Sequence, residues 1–293
     1  MAESTRDIKR RIRGVKATQQ ITRAMEMVAA VKLNRVRAEA ENSRLFVEKI
    51  KLIMQALCST VEDIDHPLFV SREQKHIGLV VISSDRGLCG TFNVNVVNAA
   101  HRFVQEKVAA GCDVSVYAVG SKASDALKKL GCTIERTIAT PWGQDIEHEM
   151  AALCQHYREG YTEGHYDAVY LMYSRFENVL KHVPTVVQYL PVPPLTEQEK
   201  KDLLKLSADF LVEPGFEEVA NVLAPRYLET QLSHSMVESL ASEFASRMVS
   251  MRNASENADE VIGDLNLSYN KARQAAITRE LIDIIGGVEA MKG

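Results

Sequence analysis

The chain has 293 residues, 46% of them apolar and 25% charged, and a net charge of −4 at pH 7, a composition typical of globular proteins. No apolar run approaches the roughly 18 residues that span a bilayer, and the Arg-rich start lacks the apolar stretch of a secretory signal, so an intracellular protein that meets a membrane only through partners is expected. The five cysteines (Cys58, Cys89, Cys112, Cys132, Cys154) are scattered and form no CxxC, which reads as free thiols; His148-Glu149 fails as an HExxH zinc motif because residue 152 is Ala.

The charge is unevenly distributed. Residues 1–57 carry an excess of seven positive charges and residues 208–293 an excess of seven negative ones. A basic arm is compatible with nucleic-acid binding. Here, however, the basic residues interleave with a regular apolar stripe and lack stacking aromatics, so pairing with the acidic arm accounts for them more simply.

Taken in chain order, Ser4 with Asp7 reads as a helix N-cap with an acidic partner three residues later. Neither Gly nor Pro occurs between Gly14 and Pro67, a length beyond ordinary globular helices. Over this stretch Ile8, Ile12, Val15, Gln19, Thr22, Glu26, Ala29, Leu33, Val36, Ala40, Ser43, Val47, Ile50, Met54 and Leu57 recur with alternating spacings of four and three. That is the seam of a left-handed coiled coil, with a polar patch at Gln19, Thr22 and Glu26. At ~1.5 Å per residue the arm would run roughly 75 Å.

The middle of the chain changes period. His76–Ser84 (HIGLVVISS) reads as a buried strand, followed by a Gly-containing loop at Asp85–Asn93 and a helix to about Lys107. A strand at Asp113–Val119, a helix at Ser121–Leu130, a short strand near Thr133–Ala139 and a helix at Gln144–Tyr161 come next. Two further strands, Asp167–Phe176 and Thr185–Val192, are joined by a polar turn. Strands alternating with helices imply a small, mostly parallel sheet with helices on its faces. Pro191–Pro194 and the charged Glu197–Lys205 read as a connector.

A second breaker-poor stretch runs from Arg226 to Ile285, interrupted by Gly263. Its stripe is Val237, Ala241, Phe244, Met248, Met251, Ser255, Ala258, Ile262, Leu265, Tyr269, Ala272 and Ala276. The expected fold is α/β: a long antiparallel coiled coil of the N- and C-terminal helices (residues 1–66 and 208–293) with a small central Rossmann-like α/β domain (67–207).

Candidate chemistry is sparse. The loop Asp85-Arg86-Gly87-Leu88-Cys89-Gly90 follows a strand, where doubly wound folds place ligands. It is neither GxGxxG nor a P-loop, and a tight surface loop contacting a partner is the preferred reading. Gly120-Ser121-Lys122 also fails the P-loop spacing, and no GxSxG elbow occurs. The run from Asn270 to Glu280 places several polar groups on the exposed side of the second helix. It is either a solvated face or a surface that docks into another protein, for which Arg with Gln makes a suitable donor pair. An α/β enzyme with helical arms and a basic coiled-coil tether for nucleic acid are the rival readings.

Three segments resemble the gamma subunit of bacterial F-type ATP synthases: IKRRIR at residues 8–13 with TQQITRAMEMVAA at 18–30, SDRGLCGTFN at 84–93, and ASENA at 254–258 with YNKARQAAITREL at 269–281. The resemblance implies a non-catalytic rotor shaft that couples proton flow to ATP synthesis, without a cofactor or metal of its own. Its partners would be three alpha and three beta subunits, an epsilon subunit and the membrane c-ring, with no nucleic acid and no membrane insertion. It would lie peripherally on the cytoplasmic face of the bacterial plasma (inner) membrane. The resemblance also implies that Arg273 and Gln274 form a polar catch on a beta-subunit loop, with Thr278 and Glu280 close by. Arg23, Met25 and Lys32 would face the beta-subunit lever, with Met25 on the face opposite the stripe. Leu281–Met291 would sit in an apolar bearing, and the central lobe would meet the epsilon subunit and the ring. The connector Leu190–Phe210 has no cysteine, so the thiol switch of photosynthetic relatives is not expected. No transit segment precedes the first motif, which favours the bacterial type.

Overall fold

A computed structural model describes residues 4–59, 66–143, 145–192 and 216–292. Helix α1 spans Thr5–Ser59. The Ser4 hydroxyl accepts the Arg6 N–H at 3.3 Å, as an N-cap should, while Asp7 pairs with Arg10 at 3.1 Å. Every stripe position of α1 whose side chain is described is buried or half-buried. The exposed faces carry most of the Lys and Arg.

The final helix, α5, spans Phe216–Lys292, so it begins ten residues before the start suggested by Pro225. That proline lies within it. Ala220, Ala224, Tyr227, Leu228 and Leu232 are all buried around it. Burial on both sides of the break outweighs the one hydrogen bond that a proline removes. The α5 stripe is likewise buried or half-buried along its whole length.

The chain divides into two compact units, residues 1–29 with 247–293 and residues 30–246. In the first, Ile8, Ile12 and Leu265 form an apolar cluster against which Val15, Tyr269 and Ala272 pack. Residues 8 and 12 meet 265, while Arg23 meets Asp259 and Glu26 meets Arg252. Numbers that rise on one helix fall on the other, so the pair is antiparallel.

The second unit holds the sheet, made of β1 (His76–Ile82), β2 (Asp113–Val119), β3 (Thr133–Ile138), β4 (Ala168–Phe176) and β5 (His182–Leu190). The order is β3-β2-β1-β4-β5. The first four strands are parallel and β5 is antiparallel to β4. Strand β5 starts at His182, earlier than residue 185, because His182 and Val183 still pair with Phe176 and Arg175. It tolerates Pro184 because it is an edge strand.

Helices α2 (Phe92–Ala109) and α3 (Ser121–Lys129) cover one face of the sheet. Their apolar sides close on Leu79, Val81, Val116 and Met172. On the other face lies α4 (Asp145–Thr162). A side chain at Gly78 would come within 2.7 Å of Tyr157 of that helix, so the close approach of α4 requires glycine there. The connector beyond residue 192 lies outside the described residues, as does the Cys58 side chain. Cys89, Cys112, Cys132 and Cys154 are free thiols.

Candidate functional site

A doubly wound sheet offers a ligand crevice beyond the carboxyl ends of its strands, where the strand order reverses. Here the reversal lies between β1 and β4. That crevice is filled from within the same unit. The Ser239 hydroxyl of α5 donates to the Ile82 carbonyl at the end of β1, at 3.4 Å. Ser242 donates to the Ser174 carbonyl of β4 at 3.0 Å, and Ser246 to the Cys89 carbonyl in the loop after β1.

The loop itself is built by internal bonds. Asn93 donates to the Ser84 hydroxyl at 2.8 Å and to the Cys89 sulfur at 3.2 Å. Asp85 accepts the N–H groups of Ser121 and Thr140, each at 2.8 Å. Burial works to raise the Asp85 pKa, but these donors outweigh it and hold the carboxyl below its usual value. Asp85 therefore ties the end of β1 to the start of α3 and to the chain after β3. Gly120, just before α3, has φ +94°, and a Cβ there would lie 2.7 Å from the Ser83 carbonyl oxygen. Conformation and space both demand glycine.

A second polar cluster joins α1 to α5. Arg44 forms an ion pair with Glu238 and donates to the Phe176 carbonyl at 3.1 Å. His234 shares a hydrogen bond of 2.8 Å with Ser43. Burial, reinforced by the Arg44 charge, drives the His234 pKa down to about 4, so the ring is neutral at pH 7. Burial pushes Glu238 upward, against the opposing pull of Arg44.

The residues implicated by the resemblance fall into two groups. In the first unit, Arg23 bonds Ser255 at 3.2 Å and Asp259 at 3.0 Å, joining the basic arm to the acidic one. Both charged side chains of the pair are more than half exposed, so the pair itself is worth about 0–1 kcal/mol. Met25 is half-buried at the border of the stripe, not on the opposite face. Arg273, Gln274, Thr278 and Glu280 are all exposed. Among the described residues, neither Arg273 nor Gln274 makes a side-chain hydrogen bond. In the second unit, Lys32 is turned inward, its Nζ 4.7 Å from the Trp142 ring and 5.3 Å from that of Phe244. Trp142, the Arg44–Glu238 pair and the α5 serines escaped the sequence reading. The serines carried a signal all the same, since 235, 239, 242 and 246 repeat with the spacing of the stripe.

Among the described residues, no group of His, Cys, Asp and Glu could hold a metal, and no helix is long and apolar enough to cross a membrane. These features define a class of protein: an α/β unit whose ligand crevice is closed by its own C-terminal helix, carried on a chain whose two ends form an antiparallel helix pair. A family model described as ATP synthase matches residues 4–291. The ATP synthase gamma chain of Heliobacterium modesticaldum is 39% identical over 290 residues, covering 98% of each chain. That of Trichlorobacter lovleyi is 38% identical, covering 99% of each. Among solved structures, a chain of the central stalk and c-ring of Tetrahymena thermophila mitochondrial ATP synthase is 28% identical, with TM-score 0.59. The match covers 80% of this chain and 99% of that one. A rotor chain of Euglena gracilis mitochondrial ATP synthase shares the fold, with TM-score 0.66 at 21% identity over 93% of this chain and 98% of that one. The chain belongs to the ATP synthase gamma-chain family.

Proposed function

We propose that this chain is the rotating shaft of an ATP synthase and is not itself catalytic. Its helix pair turns inside a head of three alpha and three beta subunits, and its α/β unit meets the epsilon subunit and the c-ring. The complex lies on the cytoplasmic face of a bacterial plasma membrane, which this chain approaches only through partners. The observation that carries this reading is the closed crevice: where an α/β unit would take a nucleotide, α5 supplies two serine hydroxyls to carbonyls of β1 and β4 and a third to the loop after β1. Nucleotide chemistry then belongs to the surrounding subunits, and this chain needs no cofactor.

Coupling follows from shape. Each angle of an asymmetric shaft contacts the surrounding conformers differently and so shifts their equilibrium. The polar groups of Arg273, Gln274, Thr278 and Glu280, open to contact, serve as the catch on the head. Arg23 and Met25 act on the other helix of the same pair, and Lys32 acts indirectly by holding Trp142. Two measurements test the reading. The purified chain should neither hydrolyse ATP nor bind it at micromolar affinity. Mixed with alpha and beta subunits, it should form a complex in which a probe on this chain rotates during hydrolysis. Turnover by the chain alone, or hydrolysis by the complex with a stationary probe, would refute the proposal.

A further inference from the structure

Residues 234–246 of α5 are buried without exception. A helix enclosed on all sides is ordinarily apolar all round. Here seven of the thirteen positions are polar: His234, Ser235, Glu238, Ser239, Ser242, Glu243 and Ser246. Three of the serines address backbone carbonyls at the carboxyl edge of the sheet.

We propose that Ser239, Ser242 and Ser246 are positioning residues of the rotary transmission, fixing the height and angle of α5 on the sheet so that torque passes between helix and α/β unit. The proposal rests on the rotor reading above. Apolar packing is non-directional and resists separation better than sliding. A hydrogen bond has a direction, and three of them spaced by three and four residues fit one register of the helix. Rotation by one residue, or a shift along the axis, breaks all three at once. Polar groups buried in this way specify an arrangement, where apolar substitutes would give adhesion without register.

The test uses the assembled complex in inverted membrane vesicles, reading ATP hydrolysis and ATP-driven proton pumping together. With Ser239→Ala, Ser242→Ala and Ser246→Ala combined, hydrolysis should stay within about twofold of the parent. Protons pumped per ATP should fall at least threefold, as the helix slips under load. Val96→Ala removes buried volume between α2 and the sheet without touching a hydroxyl, and should lower thermal stability while leaving the ratio unchanged. An unchanged ratio in the triple variant, or an equal loss in the Val96 control, overturns the proposal. If the triple variant does not assemble, Ser239→Ala and Ser242→Ala are read singly; each should lower the ratio, and full coupling in both overturns it. A parent complex that hydrolyses ATP without pumping would instead remove the rotor reading.

Discussion

Acid should loosen the second unit through one residue, His234. Its folded pKa of about 4 lies below the ordinary value near 6.5, so the native state keeps the ring neutral while the unfolded chain takes up a proton. For a depressed pKa the associated stability is complete above pH 6.5 and is lost as pH falls toward 4, because the unfolded state binds more protons throughout that window. A difference of about 2.5 units at 1.36 kcal/mol each gives a loss of about 3 kcal/mol across the window. Burial and the Arg44 charge cause the shift, and neither can relax without opening the contact between α1 and α5. Glu238, pushed upward by burial, acts in the opposite sense, and other carboxylates titrate as well, so the loss must be read against a variant. His234→Asn keeps a polar partner for the Ser43 hydroxyl and cannot titrate. Urea unfolding at pH 7 and pH 4, followed by circular dichroism, should show the parent losing about 3 kcal/mol more than the variant. Equal losses within about 0.5 kcal/mol would refute the assignment of a buried neutral imidazole.

Three further outcomes follow from the geometry. Gly120→Ala should destabilise the chain by about 2–4 kcal/mol in urea titrations, since a positive φ and a blocked Cβ act together; a loss below about 1 kcal/mol would contradict the local geometry. Met25→Lys places a charge at the half-buried border of the stripe, so it should lower proton pumping per ATP more than assembly, and a normal ratio would exclude the contact with the head. The pair Arg273→Ala with Gln274→Ala should leave helical content and assembly intact while slowing ATP turnover. A contact of this kind costs on the order of 2–5 kcal/mol if desolvated and much less at a wet rim, so unchanged turnover in an assembled complex would leave these residues as a solvated face.

The paired helices were legible because periodicity is a property of sequence alone: alternation by four and three from Ile8 to Met54 is also the order of burial along α1. The strands were legible to within a few residues for the same reason. Other features depended on neighbours distant in sequence. Pro225 reads as a helix breaker until the burial of Ala224 and Leu228 is known. Lys32 reads as a surface cation until Trp142 arrives over it. The loop Asp85–Asn93 reads as a turn after a strand, but its spacing does not disclose that Asp85 accepts the backbone N–H groups of Ser121 and Thr140 or that the Cys89 carbonyl accepts the Ser246 hydroxyl. Spacing within an element is local information; the recipient of a hydrogen bond is not.

The antiparallel pairing of the two chain ends has a consequence for biosynthesis. Ile8 and Ile12 find their apolar partner in Leu265, a residue that leaves the ribosome some 250 positions later. At about 5–20 residues per second that interval is roughly 10–50 s. During it the N-terminal stripe has no complement, and its apolar side is a hazard of the kind that chaperones cover. The sheet unit can begin to form in the meantime, since its strands are nearer to one another in sequence. Contacts between distant residues form late because loop closure must precede them. Residues 1–29 with 247–293 are therefore the last compact unit to be completed, and a nascent chain stalled before residue 247 would leave the first part of α1, Ile8 and Ile12 included, without its complement.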